Sequence, residues 1–142
     1  MKKVLVDSNI FLDYYLDRRD NLLPLGEFAF QFVEKALKCK YLLVICNSTL
    51  REISSNLGIS EDTVWEKVLS GLKKKNKIEL VQYSHEQVIE ARIISKEKNV
   101  AFNDALFAIM ARDKGILVVT RDWHFFEELS EIVGAVKPEE LE

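Results

Sequence analysis

Short apolar runs alternate with helical patterns along this 142-residue chain, and that alternation most limits what the chain can fold into. Runs of strand length occur at residues 2–6, 41–46, 78–82 and 116–120. The run at 41–46 is apolar throughout, as in strands buried on both faces of a parallel sheet. The sequence therefore predicts an α/β fold, with a central parallel sheet of four to five strands and helices on both faces.

The segments between these runs have helical spacing of apolar residues. Helices are expected at residues 10–16, 25–38, 50–57, 85–98, 103–111 and 123–129, with a further one after Ser60. The helix at 103–111 is apolar nearly all round and is predicted to be buried. A short edge strand is expected at 132–136, and residues 137–142 are expected to form a frayed or partner-facing tail.

Length and composition bound the class of protein. A chain of 142 residues that is 48% hydrophobic and 30% charged suits one globular domain, predicted to span 1–142. No apolar run approaches the roughly 20 residues that a membrane helix needs, and the default expectation is a cytoplasmic protein without membrane contact. Cys39 and Cys46 lack metal-site spacing and are expected to be buried thiols.

The net charge of −3 does not suggest a protein that coats nucleic acid through bulk positive charge. It does not exclude a nuclease. A metal-loaded acidic site with a local basic patch can hold a phosphodiester.

Acidic residues follow the predicted strands. Asp7, Glu52 and Asp122 each lie shortly after a strand, and Asp104 opens the buried helix. Each has an ordinary explanation as a helix cap or first-turn residue: Asp7 and Asp122 as caps, Glu52 as the third residue of a capping box. Because parallel strands end at one edge of a sheet, however, the four carboxylates are expected to converge.

Four converging carboxylates need a cation or protons to offset their repulsion. Oxygen ligands without paired histidine or cysteine favour Mg²⁺ or Mn²⁺, and the chemistry that suits such a site is metal-assisted hydrolysis of phosphodiester bonds. Ser8, Asn9, Asn103 and Thr120 are candidate accessory polar residues around the acids. Hydrogen bonds in caps and turns explain Ser8 and Asn103 equally well.

The chain resembles the PIN-domain ribonucleases, in particular the compact VapC-type toxins. The resemblance lies in the segments 4–10, 103–105 and 119–122 together with Glu52, and covers nearly the whole chain. It implies a three-layer α/β/α fold with strand order 3-2-1-4-5 and metal-dependent cleavage of RNA. It also implies an antitoxin partner and a homodimer, for which the aromatic helix around Phe28 and Phe32 offers a surface.

The resemblance assigns roles to particular residues. Asp7, Glu52, Asp104 and Asp122 would form the catalytic cluster, with Asp7, Asp104 and Asp122 binding Mg²⁺ or Mn²⁺. Thr120 would steady the site beside Asp122, and Asn9 would be an accessory polar residue. Many relatives carry a further acid two residues after the last aspartate. This chain has His124 there, interpreted as a surface histidine in preference to a ligand or proton donor.

Two other functions fit the same sequence pattern. A receiver-type phosphotransfer domain also has an aspartate after its first strand, but Asp7-Ser8-Asn9 lacks the second acid and no lysine follows the last strand. A non-catalytic PIN-like module that binds RNA or protein is the other alternative. His124 in place of an acid supports this module weakly, whereas the four retained acids argue against it.

Overall fold

A five-stranded parallel sheet forms the centre of the computed structural model, which describes residues 2–38 and 40–141. Its strands are β1 (Lys2–Val6), β2 (Tyr41–Cys46), β3 (Ile78–Val81), β4 (Leu117–Val119) and β5 (Ala135–Val136). They lie in the order β3-β2-β1-β4-β5, which confirms the expected topology. Receiver domains have the order 2-1-3-4-5, so the receiver alternative is wrong.

Helices cover both faces of this sheet. They are α1 (Ser8–Leu16), α2 (Leu25–Leu37), α3 (Asn47–Leu57), α4 (Glu61–Thr63), α5 (Ser70–Lys74), α6 (His85–Lys98), α7 (Phe102–Lys114) and α8 (Trp123–Phe126). A π-helical turn at Val64–Val68 joins α4 to α5, so the segment after Ser60 is helical but irregular. The bounds of α2, α3 and α6 lie within a few residues of those predicted.

The central strand β1 divides the core into two layers. Val4 and Val6 face the layer that contains α1, α2 and α3, whereas Leu5 faces the layer that contains α6 and α7. All three side chains are fully buried, because β1 pairs with β2 on one side and β4 on the other. Asp7 directly follows this strand, and its backbone N–H donates to the Val119 carbonyl at 3.0 Å. That bond holds Asp7 at the carboxyl edge of the sheet.

The helix α7 lies in the core, as its sequence predicts. Every side chain from Ala105 to Ala111 is buried, and the helix ends at Gly115 with φ +66°. A left-handed backbone at this position costs glycine little, since glycine has no Cβ. The buried helix fixes the position of Asp104 in its first turn, on the same edge of the sheet as Asp7.

The C-terminal segment is packed, so the expectation of a frayed tail at 137–142 is wrong for the residues that are described. Pro138–Glu140 forms a 3₁₀ turn, and Leu141 is 3% exposed within the core layer of α1 and α2. The Tyr41 hydroxyl donates to the Leu141 carbonyl at 3.3 Å. Pro138 and Leu141 are both buried, and this burial of apolar surface holds the segment in place. The charged residues around them led to the prediction of a frayed tail.

Three smaller predictions concern the length of α8, the aromatic residues of α2 and the two cysteines. The helix after Asp122 is shorter than predicted, since α8 ends at Phe126 and turns follow. Phe32 is buried in the core, so the exposed aromatic ring of α2 is Phe30. Cys46 is buried as expected, and Cys39 lies outside the described residues. Within residues 2–38 and 40–141, no helix has the length and apolar character required to cross a membrane.

Candidate active site

A small pocket of about 70 Å³ opens at the carboxyl edge of the sheet. The structure brings all four predicted acids to it, together with three of the four accessory residues. The lining includes Asp7, Ser8, Asn9, Glu52, Asn103, Asp104 and Asp122. Thr120, the fourth accessory residue, is fully buried directly behind Asp7. The parallel strands thus place their C-terminal acids side by side, as the sequence predicted.

Asp7 is held from two sides. Its Oδ2 accepts a hydrogen bond from the Thr120 hydroxyl at 2.8 Å, and its Oδ1 accepts one from the Ser8 hydroxyl at 3.3 Å. It occupies the cap position of α1, but its carboxylate makes no capping hydrogen bond there. Burial raises the pKa of Asp7, and the charges of Glu52 and Asp122 raise it further, against the lowering effect of the Thr120 hydrogen bond.

Glu52 points to the same pocket from α3. Its carboxylate accepts a hydrogen bond from the Ser8 hydroxyl, whose single hydrogen is shared between Glu52 and Asp7, so that Ser8 bridges the two acids. The capping-box interpretation of Glu52 is wrong, because α3 begins at Asn47 and Thr49 caps the backbone N–H of Cys46. Glu52 lies further along the helix, where no unpaired backbone N–H needs it.

Asp104 enters the pocket from the first turn of α7, where the helix dipole favours its charge. Burial nevertheless raises its pKa to about 6, and the charges of Asp122 and Asp7 add to that effect. His124 is the one neighbour that lowers the pKa of Asp104 substantially. A carboxyl group with a pKa near 6 is costly to ionise unless a cation lies nearby.

Asp122 serves both as a helix cap and as a pocket residue. Its Oδ1 accepts the backbone N–H of His124 at 3.0 Å, which caps α8 as one interpretation of the sequence held. Its own backbone N–H donates to the Thr120 hydroxyl oxygen at 3.0 Å. Thr120 therefore links Asp7 to Asp122. The cap fixes Asp122 in place without removing its other oxygen from the pocket.

His124 lies beside the acids, and whether it acts as a surface histidine or as a ligand stays a prediction. Its ring is half-buried, and one ring nitrogen lies within 4.8 Å of carboxylate oxygens of Asp104 and Asp122. Nδ1 lies 3.3 Å from the Glu128 carboxylate. The contact of Glu128 with His124 could have been anticipated from their spacing of four residues.

Sequence reasoning missed four other residues of the pocket wall. These are Ser48, Thr49, Phe107 and Phe125. Ser48 and Thr49 follow β2 just as Ser8 follows β1, so the polar residues after a strand were a usable signal. The two phenylalanines pack edge to face with ring centroids 6.0 Å apart, and they form an apolar floor under the acids.

The donor set fits a hard divalent cation. Four carboxylates line the pocket, and among its described lining residues none is a lysine or an arginine. The His124 imidazole lies close to two of these carboxylates, those of Asp104 and Asp122. The charges of neighbouring acids add to the effect of burial in raising the pKa of both Asp7 and Asp104. Carboxylate oxygens are preferred ligands of Mg²⁺ and Mn²⁺, and imidazole is tolerated better by Mn²⁺.

The family model for the PIN domain matches residues 4–131 of the sequence. That match covers most of the chain, from β1 through the turns after α8. The chain therefore belongs to the PIN-domain family. No curated protein is similar enough in sequence to count as a relative.

Solved structures share the fold at low sequence identity. FitAcB from Neisseria gonorrhoeae is 16% identical, with a TM-score of 0.65, 97% of this chain and 99% of that chain being covered. A toxin–antitoxin complex from Klebsiella pneumoniae is 17% identical, with the same TM-score of 0.65 and the same coverage of 97% and 99%. VapBC2 from Rickettsia felis, bound to a promoter DNA fragment, is 17% identical with a TM-score of 0.64, covering 95% and 98%.

Proposed function

We propose that this protein is a divalent-metal-dependent endoribonuclease that acts as the toxin of a toxin–antitoxin pair. The observation that carries the proposal is the convergence of Asp7, Glu52, Asp104 and Asp122 on one small pocket without a lysine or arginine among its described lining residues. Membership of the PIN-domain family supports nuclease chemistry, and the similarity to a toxin–antitoxin complex from Klebsiella pneumoniae supports the toxin assignment.

Each residue of the pocket has a role in this mechanism. Asp7, Asp104 and Asp122 would hold Mg²⁺ or Mn²⁺, directly or through water, and Glu52 would complete the anionic cluster. When bound, the cation would supply Lewis-acid activation of the attacking water and offset charge on the phosphate. Water attack on phosphorus would break the P–O3′ bond, giving 5′-phosphate and 3′-hydroxyl ends, as in the family.

Positioning of the acids comes from the two hydroxyl groups described above. Ser8 bridges Asp7 and Glu52, while Thr120 bridges Asp7 and the backbone of Asp122. These bonds hold the carboxylates against their mutual repulsion before a substrate arrives. Asn9 and Asn103 are exposed at the pocket mouth, where their amides could donate to phosphate oxygens.

The proposed partners follow from the same assignment. An antitoxin polypeptide would cover the acidic pocket, and the similar structure from Klebsiella pneumoniae is itself a toxin–antitoxin complex. A homodimer is proposed on exposed apolar side chains around the junction of α1 and α2, where Phe30 stacks on Tyr14 at 5.9 Å and Tyr15 is 38% exposed. A cytoplasmic location would give the enzyme access to its RNA.

Cleavage of a labelled single-stranded RNA pool tests the proposal. Purified protein should cleave with Mn²⁺ or Mg²⁺ and not with EDTA. Asp7→Asn and Asp104→Asn should abolish cleavage, since each removes one of the clustered charges while leaving a side chain of the same shape. Asp62→Asn, at an exposed position at the start of α4, is the matched control and should leave activity unchanged.

The outcomes separate the candidate functions. Metal-dependent cleavage that both pocket variants lose would establish the ribonuclease. RNA binding without cleavage under any metal would favour the non-catalytic module. Cleavage retained in Asp104→Asn would remove this residue from the mechanism.

A further inference from the structure

We propose that His124 is a metal ligand, so that the site combines Asp104 and Asp122 with one imidazole and prefers Mn²⁺ over Mg²⁺. The inference rests on the proposed metal site and assigns to it a ligand that the family's acidic pattern does not contain. Each of these three residues offers one potential ligand atom, and the three atoms all lie within 4.8 Å of one another. Asp7, which lines the same pocket, is not part of this tight group.

Glu128 orients the imidazole for this role. The Glu128 carboxylate lies 3.3 Å from Nδ1 of His124, a distance at which Nδ1–H donates to the carboxylate. That bond leaves the lone pair on Nε2, which makes no hydrogen bond to another residue that the structure describes. Metal-binding histidines commonly donate their second nitrogen to a carboxylate, which fixes the tautomer and strengthens the ligating nitrogen.

The backbone and a neighbouring ring fix the imidazole further. The backbone N–H of His124 donates to the Asp122 carboxylate at 3.0 Å, so two members of the ligand group are joined directly. The Trp123 ring packs on the imidazole with centroids 4.0 Å apart and planes at 32°. A ring held in three ways loses little conformational entropy when it binds a cation.

A nitrogen ligand changes which cation the site prefers. Mg²⁺ binds almost entirely through oxygen and demands near-octahedral geometry, whereas Mn²⁺ accepts imidazole together with carboxylates. An acid at position 124 would make the ligands all oxygen, as in relatives that carry one. The histidine therefore shifts the site toward Mn²⁺ without removing the carboxylates.

Pulsed electron paramagnetic resonance of bound Mn²⁺ tests this assignment independently of catalysis. The wild-type protein should show the ¹⁴N coupling of a directly bound imidazole. His124→Ala should lose that coupling and bind Mn²⁺ at least about tenfold more weakly. The chain has 2 histidines, and the other one, exposed His85 at the start of α6, provides the control. His85→Ala should retain both the coupling and the affinity.

His124→Asp tests the preference for Mn²⁺ without deleting a ligand. It should bind Mn²⁺, lack the ¹⁴N coupling, and lower the ratio of Mn²⁺ to Mg²⁺ affinity about tenfold, measured by competition. Glu128→Ala should weaken Mn²⁺ binding about tenfold while retaining the coupling. Far-ultraviolet circular dichroism and thermal melts of each variant exclude loss of the fold as the cause.

Specific results would overturn the inference. They are bound Mn²⁺ without ¹⁴N coupling in the wild type, coupling that persists in His124→Ala, and an unchanged affinity ratio in His124→Asp. If the wild type cleaves RNA but shows no coupling, the inference fails and the ribonuclease stands. If the coupling is present without cleavage, the ribonuclease fails and the ligand assignment stands. Absence of Mn²⁺ binding overturns the ligand assignment.

Discussion

The buried acid Asp13 and the half-buried acids of the pocket are balanced by different neighbours. Asp13 of α1 is 3% exposed and lies 3.5 Å from the Arg121 guanidinium and 3.7 Å from Arg18. Arg121 also pairs with Glu139 at 2.6 Å and packs over the Phe28 ring. The pocket acids, in contrast, have other acids as their charged neighbours, with His124 as the exception.

The pKa directions express this difference. Burial raises the pKa of Asp13, but Arg121 and Arg18 oppose the rise. Burial also raises the pKa of Asp104, and there Asp122 and Asp7 increase the rise. The chain thus supplies its own cations where the role is structural. It leaves negative charge uncompensated at the pocket, where a metal ion would bind.

The largest effect is expected from removing the internal cation. Arg121→Ala would leave Asp13 buried with only the more exposed Arg18 beside it and would also free Glu139, so unfolding should become easier by about 3 kcal/mol. Urea denaturation measures this change. Arg112→Ala is the control, since Arg112 forms comparable pairs with Glu90 and Asp113 on the surface. It should cost at most about 1 kcal/mol. Equal losses of stability in the two variants would contradict the proposed difference between the buried pair and the surface pairs.

Adding Mn²⁺ should stabilise the folded protein almost as much as the loss of Arg121 destabilises it. Mn²⁺ at about 100 times its dissociation constant should raise the free energy of unfolding by about 2.7 kcal/mol, because the ion binds only the folded chain. Calorimetry gives the dissociation constant, and thermal melts near neutral pH give the stabilisation, which EDTA should reverse. Asp104→Asn should reduce it sharply. Stabilisation of equal size in that variant would place the ion elsewhere.

The hydroxyl behind the acids should contribute less. Thr120→Val preserves the side-chain shape but removes the hydrogen bond to Asp7 and the acceptor for the Asp122 backbone N–H. The expected loss of stability is about 1–2 kcal/mol. The pKa of Asp7 should also rise further, measurable by carboxyl NMR. Ser55→Ala, exposed on α3, is the control and should change stability by less than about 0.5 kcal/mol.

The smallest effect is a gain in stability from removing one pocket charge. The raised pKa of Asp104, about 6 against an ordinary 3.8, means that its ionisation costs the folded state stability as pH rises through this interval. Metal-free Asp104→Asn should therefore be more stable than wild type near pH 7, by up to about 1 kcal/mol. The difference should shrink below pH 4. A difference independent of pH would contradict the repulsion.

Most of the architecture could be predicted from the sequence, because the pattern of apolar residues within a segment indicates whether that segment is buried. The apolar run of β2 and the all-round apolar α7 each carry a pattern that only a buried element satisfies. The four acids could be placed together because parallel strands share one edge. The positions of the acids in the sequence were therefore enough to predict that they lie together in the fold.

The remaining features depend on contacts between distant residues, which periodicity does not encode. Leu141 docks beside α1 and α2, and Asp13 is balanced by Arg121, more than 100 residues away. The neighbours of His124 could not be predicted, because a single histidine has no spacing pattern. Its ligand neighbourhood exists only once α7 and α8 are adjacent.

The central position of β1 in the sheet affects the kinetics of folding. This strand lies between β2 and β4, although some 110 residues separate β1 from β4 in sequence. Pairings between such distant segments form slowly, because a long loop must close before any contact rewards it. Asp7 and Asp122 therefore meet only after β4 has docked. A metal ion that needs both should slow unfolding and leave the refolding rate nearly unchanged.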